Sequence, residues 1–301
     1  MSPDALKRAL LALVALLIAW GGFALFRRSI SDAPVALALP KLSPADVDRI
    51  TITARGDTIV LKSTASGWQA NGYAAAAGSV DELIGALSDT GNASELVARS
   101  AASHARMGVD SAEGHRVRFF KGDRVLADVI VGSPGRASQT AYVRLASDDD
   151  VYQMHGRLPS LAGRDLDGWR DRRIAAVPPD SVRSVEVTRG RQGWVLSRAN
   201  GTWRLGTAAA DSGATARLLR SMTDVSALGF ATAAQAESLD FAHPKRALTV
   251  LGAASDTLLH LLFDSTASGS WVRRAAGGPV YRLDFWRLDQ LTPSDSTLRK
   301  K

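Results

Sequence analysis

Histidine is the side chain most often used as a metal ligand or general base near neutral pH, and the chain has five. They are His104, His115, His155, His243 and His260. No two lie three or four residues apart, the spacing that places two metal ligands on one helical face, and no His-Glu-x-x-His motif occurs. The pattern is typical of scattered structural or surface histidines, so the sequence predicts no metal site.

Three further segments resemble functional loops without completing them. Residues 148–150 are three aspartates between two predicted strands, which indicates a solvated hairpin tip. Residues 165–168 (Asp-Leu-Asp-Gly) begin like a calcium loop and lack its later acidic ligands. Residues 132–136 (Gly-Ser-Pro-Gly-Arg) lack the Gly-Lys-Ser/Thr ending of a phosphate loop, and Pro134 has no N–H to donate.

The chain has no cysteine and no Gly-x-Ser-x-Gly motif. This excludes a thiolate nucleophile, a disulfide framework and the nucleophile elbow of a serine hydrolase. We therefore expect a non-enzymatic protein without catalytic, cofactor-binding or metal-binding residues and without a cofactor. Catalytic carboxylates that meet only in the folded chain stay an open alternative.

The tryptophans are candidates for the core or for contacts. Trp68 and Trp203 occupy matching positions of an internal repeat described below, which predicts that each fills the core of its own unit; ligand stacking is the alternative. Trp169, Trp271 and Trp286 are less constrained and are candidates for contact with a partner.

The formal net charge of +7 raises the question of a nucleic-acid partner. Residues 1–28 carry +3 of it, and the remaining charges alternate in sign along the chain. The densest cluster, residues 169–173, carries its own acid, so we expect a solvated surface and no nucleic-acid partner. Arg144 and Arg273, which match across the repeat, are expected to cover apolar strand surface with their stems; an anion site is the alternative.

Residues Ala9 to Phe26 form an uncharged run of 18 residues between two basic pairs. As a helix the run would be about 27 Å long, enough to cross a thin hydrocarbon core. Its ten Leu, Ile, Val and Phe residues favour insertion into the lipid bilayer by about 3–6 kcal/mol. The sequence predicts a retained, single-pass anchor with the bulk of the chain extracytoplasmic. A signal peptide cleaved after residues 36–38 (Ala-Leu-Ala) is the alternative.

Comparison of the chain with itself reveals an internal repeat. Residues 44–52 match residues 179–187 at an offset of 135, and Trp68 and Leu83 fall on Trp203 and Leu218 at the same offset. Further matches follow in order: Val109-Asp110 with Leu239-Asp240, Arg116 with Arg246, Tyr142-Val143-Arg144 with Trp271-Val272-Arg273, Val151-Tyr152 with Val280-Tyr281, and Leu158 with Leu288. An ordered series of this kind predicts two units of one fold.

Alternating apolar residues predict strands at 47–52, 58–61, 67–72 (ending in a turn signal), 116–120, 125–131, 141–145 and 151–154. Residues 78–90 place apolar side chains on one helical face, with Ser79 as the predicted N-cap. Short polar turns favour antiparallel hairpins over parallel crossovers. Each unit is therefore predicted to be an antiparallel meander with a helix against one face.

The predicted fold class is α+β, with tandem duplicated antiparallel-sheet-plus-helix units following one N-terminal transmembrane helix. The predicted division is a cytoplasmic tail and transmembrane anchor at 1–28, an extended spacer at 29–43, a first repeat at 44–168, a linker at 169–179, a second repeat at 180–292 and a disordered tail at 293–301.

Several of these motifs together resemble the domain of unknown function 4340 family over about residues 45–290. They are the apolar-x-x-Ile-x-Ile segment at 47–52, Gly67-Trp68, the helix, Gly108-Val109-Asp110, Val131-Gly132, Tyr142-Val143-Arg144, Val151-Tyr152 and the inter-repeat residues 170–174. The resemblance implies a bacterial envelope protein anchored in the cytoplasmic membrane. Members are often encoded beside ABC-type transport proteins that resemble gliding-motility components.

We therefore expect an accessory or interaction subunit of an ABC-type transport assembly, with transporter subunits as its partners. The alternative is an extracytoplasmic ligand-binding module or enzyme that uses a cleft between the repeats. No small-molecule ligand can be named from the sequence.

Overall fold

The computed structural model describes residues 37–89, 94–267 and 269–300, together with Trp20. The predicted anchor at residues 9–26 lies outside the described residues except for Trp20. Among the residues described, no helix is both long enough and apolar enough to cross a membrane. The chain divides into two compact units, the first ending at Leu166 and the second beginning at Asp167.

The first unit is built on one antiparallel sheet. Its strands are β1 (Arg49–Ala54), β2 (Asp57–Thr64), β3 (Gly67–Ala70), β4 (Tyr73–Ala74), β5 (Ser94–Ala98), β6 (His115–Lys121), β7 (Arg124–Pro134), β8 (Thr140–Leu145) and β9 (Val151–His155). Its helices are α1 (Ser79–Ser88), α2 (His104–Met107) and α3 (Leu158–Ala162), with 3-10 turns at Pro44–Asp46 and Ala101–Ser103. The strand order is β4-β3-β2-β1-β6-β7-β8-β9-β5. Helix α4 (Leu166–Trp169) contains the point of division.

The second unit has a sheet of the same size. Its strands are β10 (Arg173–Ala175), β11 (Ser184–Arg189), β12 (Gln192–Ala199), β13 (Thr202–Leu205), β14 (Ala208–Ala209), β15 (Val225–Ser226), β16 (Gly229–Phe230), β17 (Arg246–Leu251), β18 (Thr257–Thr266), β19 (Gly269–Arg274) and β20 (Tyr281–Leu283). Its helices are α5 (Ser212–Ser221), α6 (Ala233–Glu237), α7 (Phe285–Leu291) and α8 (Asp295–Leu298), with a 3-10 turn at Pro179–Ser181. The large sheet has the order β14-β13-β12-β11-β17-β18-β19-β20-β16, and β10 pairs with β15 apart from it.

The two nine-stranded sheets have the same strand order, and all their pairings are antiparallel. Residue partners agree as well: Val143 faces Tyr152 on β8 and β9, as Val272 faces Tyr281 on β19 and β20. The α+β class with antiparallel sheets is therefore confirmed.

One sequence match is shifted by a residue. Arg116 faces Thr53, whereas Arg246 faces Arg189, so the positional counterpart of Arg116 is Ala247. The second unit has one more residue between Asp240 and Ala247 than the first unit has between Asp110 and Arg116, and this extra residue displaces the register.

The second unit's core lies between its sheet and its helices. Leu218 and Leu219 of α5 join Val185 and Val187 of β11 in one buried cluster, which also takes in Leu298 of α8. This corrects the predicted disordered tail at 293–301. Leu298 is only 1% exposed, because its apolar side chain completes the core beside α5.

The predicted linker at 169–179 is also partly ordered into the second unit. Arg173–Ala175 forms β10, and Ile174 and Val177 are buried in that unit's core. Within the predicted spacer, the Leu37 N–H donates to Ser94 Oγ at 2.8 Å, so the described end of the spacer contacts the first unit.

The N-cap of α1 differs from the prediction. Gly78, and not Ser79, is the N-cap, with φ of 74°. Glycine adopts a left-handed backbone without the steric cost of a side chain, so the residue before the helix is Gly78. The Ser79 hydroxyl instead donates to the Ala76 carbonyl oxygen at 2.8 Å.

Candidate functional site

The burial of the tryptophans differs from the sequence prediction. Trp68 and Trp203 are only half-buried, because each lies on the short strand next to the sheet edge, although Trp203 packs against the buried cluster of the second unit. Trp169 and Trp271, expected as partner contacts, are instead buried, and Trp169 has no exposed surface. Only Trp286 of the three candidates presents its side chain to solvent.

The arginines that match across the repeat, Arg144 and Arg273, contact backbone carbonyl groups and an aromatic ring, respectively. Arg144 donates from Nε to the Val109 carbonyl oxygen at 2.8 Å and from one terminal nitrogen to the Asp148 carbonyl oxygen at 3.1 Å. Burial lowers the pKa of the Arg144 guanidinium, although an arginine stays charged at neutral pH. Arg273 lies 4.7 Å over the Phe241 ring. The Arg144 contacts differ from the predicted stem over apolar surface, since its head binds carbonyl groups.

Two of the histidines and one of the acidic loop residues contact neighbouring groups of the same chain. His104 Nε2 lies 3.0 Å from the Asp149 carbonyl oxygen, and His243 Nδ1 lies 3.0 Å from Asp240 Oδ2. Asp167 Oδ1 accepts from Arg170 at 3.0 Å. Across the part of the chain that the structure describes, no three histidine or acidic side chains are grouped so that they could hold a metal ion.

Carboxylates with shifted pKa values have local explanations. Backbone and side-chain hydrogen bonds from His243 lower the pKa of Asp240, and a side-chain hydrogen bond from Arg299 lowers that of Asp295. For Asp264, burial acts to raise the pKa, but hydrogen bonds from the Asp240 N–H and Lys245 outweigh it and hold the value low. These shifts favour the ionised form, whereas a general acid needs a raised pKa.

The most distinctive concave surface of the second unit is a cleft of about 820 Å³ between α5, α7 and α8. We call it the basic cleft. Its charged and aromatic lining residues are Arg189, Arg217, Arg220, Arg287, Asp289 and Trp286. Four guanidinium groups thus share the cleft with one carboxylate.

Equivalent positions of the two units can be assigned from burial. The first unit buries Ser79, Val80, Leu83, Ile84, Ala86 and Leu87 along its helix, and the second buries Ala214, Thr215, Leu218, Leu219, Ser221 and Met222. The two sets coincide at an offset of 135. Glu82 on α1 therefore occupies the position of Arg217 on α5. By the same comparison, buried Leu158 and Leu161 of α3 match Leu288 and Leu291 of α7.

In the first unit, the acid at this position, Glu82, forms two ion pairs. Glu82 Oε1 accepts from Arg157 at 2.9 Å, and Glu82 Oε2 accepts from Arg164 at 3.1 Å. Arg157 immediately precedes the buried Leu158, as Arg287 precedes Leu288. In the first unit, ion pairs therefore connect α1 with the residues on either side of α3.

In the second unit, the acid is replaced by a base. Arg217 and Arg220 are exposed, and within the described residues neither guanidinium has a hydrogen bond or an ion pair. Arg287 donates to the Asp224 carbonyl oxygen and to Gln290 Oε1, which are uncharged acceptors. The single acid of the cleft, Asp289, is already engaged: its Oδ1 lies 2.6 Å from Arg246 and 3.6 Å from Arg189.

Aromatic surface adjoins these charges. Phe285 and Trp286, consecutive residues of α7, are 59% and 58% exposed. The Arg287 guanidinium lies 5.7 Å from the Trp286 ring. The first unit has Gly156 two residues before its buried leucine, where the second unit has Trp286. Charge and aromatic surface therefore distinguish the second unit from the first at the same place in the fold.

The sequence contains the signal that would have found this site. The match of Leu83 with Leu218 places Glu82 opposite Arg217, and the match of Leu158 with Leu288 places Arg157 opposite Arg287. The exchange of an acid for a base was visible in that alignment, but its contact with α7 depends on packing between distant segments.

Fold and cleft together define an α+β protein of two nine-stranded antiparallel sheets with a basic, aromatic cleft in its second unit. The model of the domain of unknown function family DUF4340 matches residues 68–244, more than half of the chain. The chain therefore belongs to this family, as its motifs indicated. No curated protein and no solved structure shows significant similarity to the chain.

Proposed function

We propose that this chain is a non-enzymatic, membrane-anchored envelope protein that works as an accessory subunit of an ABC-type transport assembly. Its second unit binds an anionic partner through the basic cleft, and that contact holds the chain in the orientation in which it joins the assembly. The observation that supports a binding role is the exchange of the neutralised Glu82 of the first unit for the unpaired Arg217 of the second.

Physical chemistry supports binding at this cleft. Guanidinium groups without a counter-charge in a folded domain repel one another, so an anion that binds between them gains both attraction and relief of repulsion. The cleft has the volume of a ligand or side-chain docking site. Its lining offers arginines and an aromatic ring, the residue types enriched where binding energy concentrates.

The remaining parts of the proposal rest on the sequence. The apolar run at residues 9–26 supports the anchor in the cytoplasmic membrane, with the rest of the chain extracytoplasmic. The ordered repeat and the shared strand order support a tandem duplication. The resemblance to a family encoded beside ABC-type transport proteins supports the choice of assembly. The alternative, a ligand-binding module or enzyme with its site between the repeats, stays a prediction.

Co-purification from native membranes tests the proposal. Full-length chain is expected to recover ABC-type transport subunits, and the double variant Arg217→Glu/Arg220→Glu is expected to recover several-fold less. Arg191→Glu/Arg198→Glu is the matched control, since Arg191 and Arg198 are exposed arginines of the second unit outside the cleft. Absence of transport subunits with the wild-type chain contradicts the assembly, and equal recovery with the double variant contradicts the role of the cleft.

A further inference from the structure

We propose that the anionic partner of the basic cleft is a phospholipid surface. Phe285 and Trp286 enter the headgroup region, and Arg217, Arg220 and Arg287 bind lipid phosphate groups. This inference rests on the proposed binding role of the cleft and goes beyond it by naming the partner.

The aromatic pair favours a surface over a point ligand. Phe285 and Trp286 are both more than half exposed, yet only Trp286 lines the cleft. The apolar surface therefore extends outside the cavity, and a ligand held inside the cavity would leave Phe285 in water. A bilayer interface covers both rings at once, and tryptophan is enriched at that depth because its ring is apolar and its N–H is polar.

The charges favour phosphate. Arginine presents a planar fork that binds two phosphate oxygens at once, and it keeps its charge at any physiological pH. Arg217 and Arg220, three residues apart on α5, lie on one face of the helix, and Arg287 approaches the same cleft from α7. Basic residues held against aromatic surface are the combination that binds anionic membranes.

The first unit serves as an internal comparison. At the same place in its fold it has Glu82 bound to Arg157 and Arg164, and glycine where the second unit has Trp286. Glu82 reduces the positive charge there, and no aromatic ring takes the place of Trp286. The second unit alone carries both features at this position.

Flotation with vesicles tests the inference. Full-length chain in phosphatidylcholine nanodiscs is mixed with vesicles of phosphatidylcholine alone or of phosphatidylcholine with phosphatidylglycerol. Nanodiscs that carry the chain are expected to float with the phosphatidylglycerol vesicles. Their apparent affinity for these vesicles is expected to be at least about tenfold higher than for the neutral ones. Loss of one basic residue near an anionic surface weakens binding by about fivefold, so Arg217→Glu/Arg220→Glu is expected to lose at least about 25-fold.

A second variant separates the rings from the charges. Phe285→Ala/Trp286→Ala is expected to weaken binding to the phosphatidylglycerol vesicles about tenfold or more while leaving its salt dependence unchanged. Since the chain has no cysteine, Gln290→Cys can carry a single environment-sensitive fluorophore beside the cleft. Its emission is expected to shift to the blue with phosphatidylglycerol vesicles and not with neutral ones.

Several results would overturn the lipid partner. They are equal binding of the wild type to both kinds of vesicle, an Arg191→Glu/Arg198→Glu control as weak as the Arg217→Glu/Arg220→Glu variant, and an unshifted emission from the label. If vesicles fail to bind while the arginine variant still loses transport subunits, the partner is an acidic protein segment and the proposed function stands. If vesicles bind but no transport subunit is recovered, the proposed membership in an ABC-type transport assembly is wrong and the lipid inference stands.

Discussion

Replacement of Trp169 by alanine should destabilise the protein more than replacement of Trp68 or Trp203, the two tryptophans that match each other across the repeat. Trp169 has no exposed surface, whereas Trp68 and Trp203 are half-buried. The sequence predicts the reverse order, with Trp68 and Trp203 as core residues and Trp169 in a linker. The experiment therefore decides between the alignment and the packing.

The magnitude follows from burial. A tryptophan side chain buries about 150–250 Å². At about 25 cal/mol per Å², this corresponds to about 4–6 kcal/mol, and measured tryptophan-to-alanine costs in cores are about 3–5 kcal/mol. Trp169→Ala is expected to cost about 3–5 kcal/mol. Trp68→Ala and Trp203→Ala, which lose less buried area, are expected to cost about half as much.

Denaturant unfolding of the full-length chain in detergent, followed by far-ultraviolet circular dichroism, measures these costs. Trp169 and Trp203 belong to the second unit and Trp68 to the first, so separate transitions should shift. Trp169→Phe is the conservative control. Trp286→Ala, at a largely exposed position, should change stability by no more than about 0.5 kcal/mol. A cost below about 1 kcal/mol for Trp169→Ala, or a larger cost for Trp68→Ala, would refute the assigned packing.

Three further stability predictions follow from single contacts. Glu82→Ala breaks two ion pairs at a side chain that is 32% exposed, and it should lower the free energy of unfolding by about 1 kcal/mol in denaturant. Arg217→Ala should lower it by less than about 0.5 kcal/mol. Equal costs would contradict the difference between the units. The pKa of Asp264 is lowered in the fold, so its stabilisation is present above about pH 4 and is lost as the pH falls through the folded pKa; thermal melts should show Asp264→Asn flattening this acid loss, and an unchanged profile would exclude it as the cause. Deletion of residues 293–301 should cost about 2 kcal/mol because Leu298 is buried, and a neutral deletion in the same assay would restore the disordered tail.

Local sequence pattern predicted most of the strands because alternation of apolar residues sets which side of a strand is buried. The predicted strand at 67–72 contains β3, which ends two residues earlier at Ala70, and the one at 151–154 differs from β9 by one residue. Short polar turns correctly predicted antiparallel neighbours. The edge strand β5 was missed, since its pairing with β9 joins segments more than 50 residues apart and leaves no local signal.

Depth of burial could not be predicted in the same way. Periodicity places Trp68 on a face of β3, but the depth of that face depends on the position of β3 next to the sheet edge. Trp169 lies in a charged segment that suggests a surface, yet it has no exposed surface, and Ile174 and Val177 of the same segment join the core of the second unit. In both cases distant elements, and not neighbours in sequence, decide the exposure.

The basic cleft could be predicted in part. The internal alignment alone sets Glu82 against Arg217. It cannot show that Arg157 reaches Glu82, because those residues are 75 positions apart and meet only through the contact of α3 with α1. The structural difference between the units at this position thus needed both the repeat and the packing.

The central claim is that Arg217 is free to bind an anion because its position lacks the acid of the first unit. Its most direct test is the affinity of the full-length chain for phosphatidylglycerol vesicles, measured together with the free energy of unfolding, for the wild type and Arg217→Glu. The account predicts at least about fivefold weaker vesicle binding with stability unchanged or slightly raised, since the new carboxylate can pair with Arg287 as Glu82 pairs with Arg157. Undiminished vesicle binding by Arg217→Glu, in a variant as stable as the wild type, would contradict it.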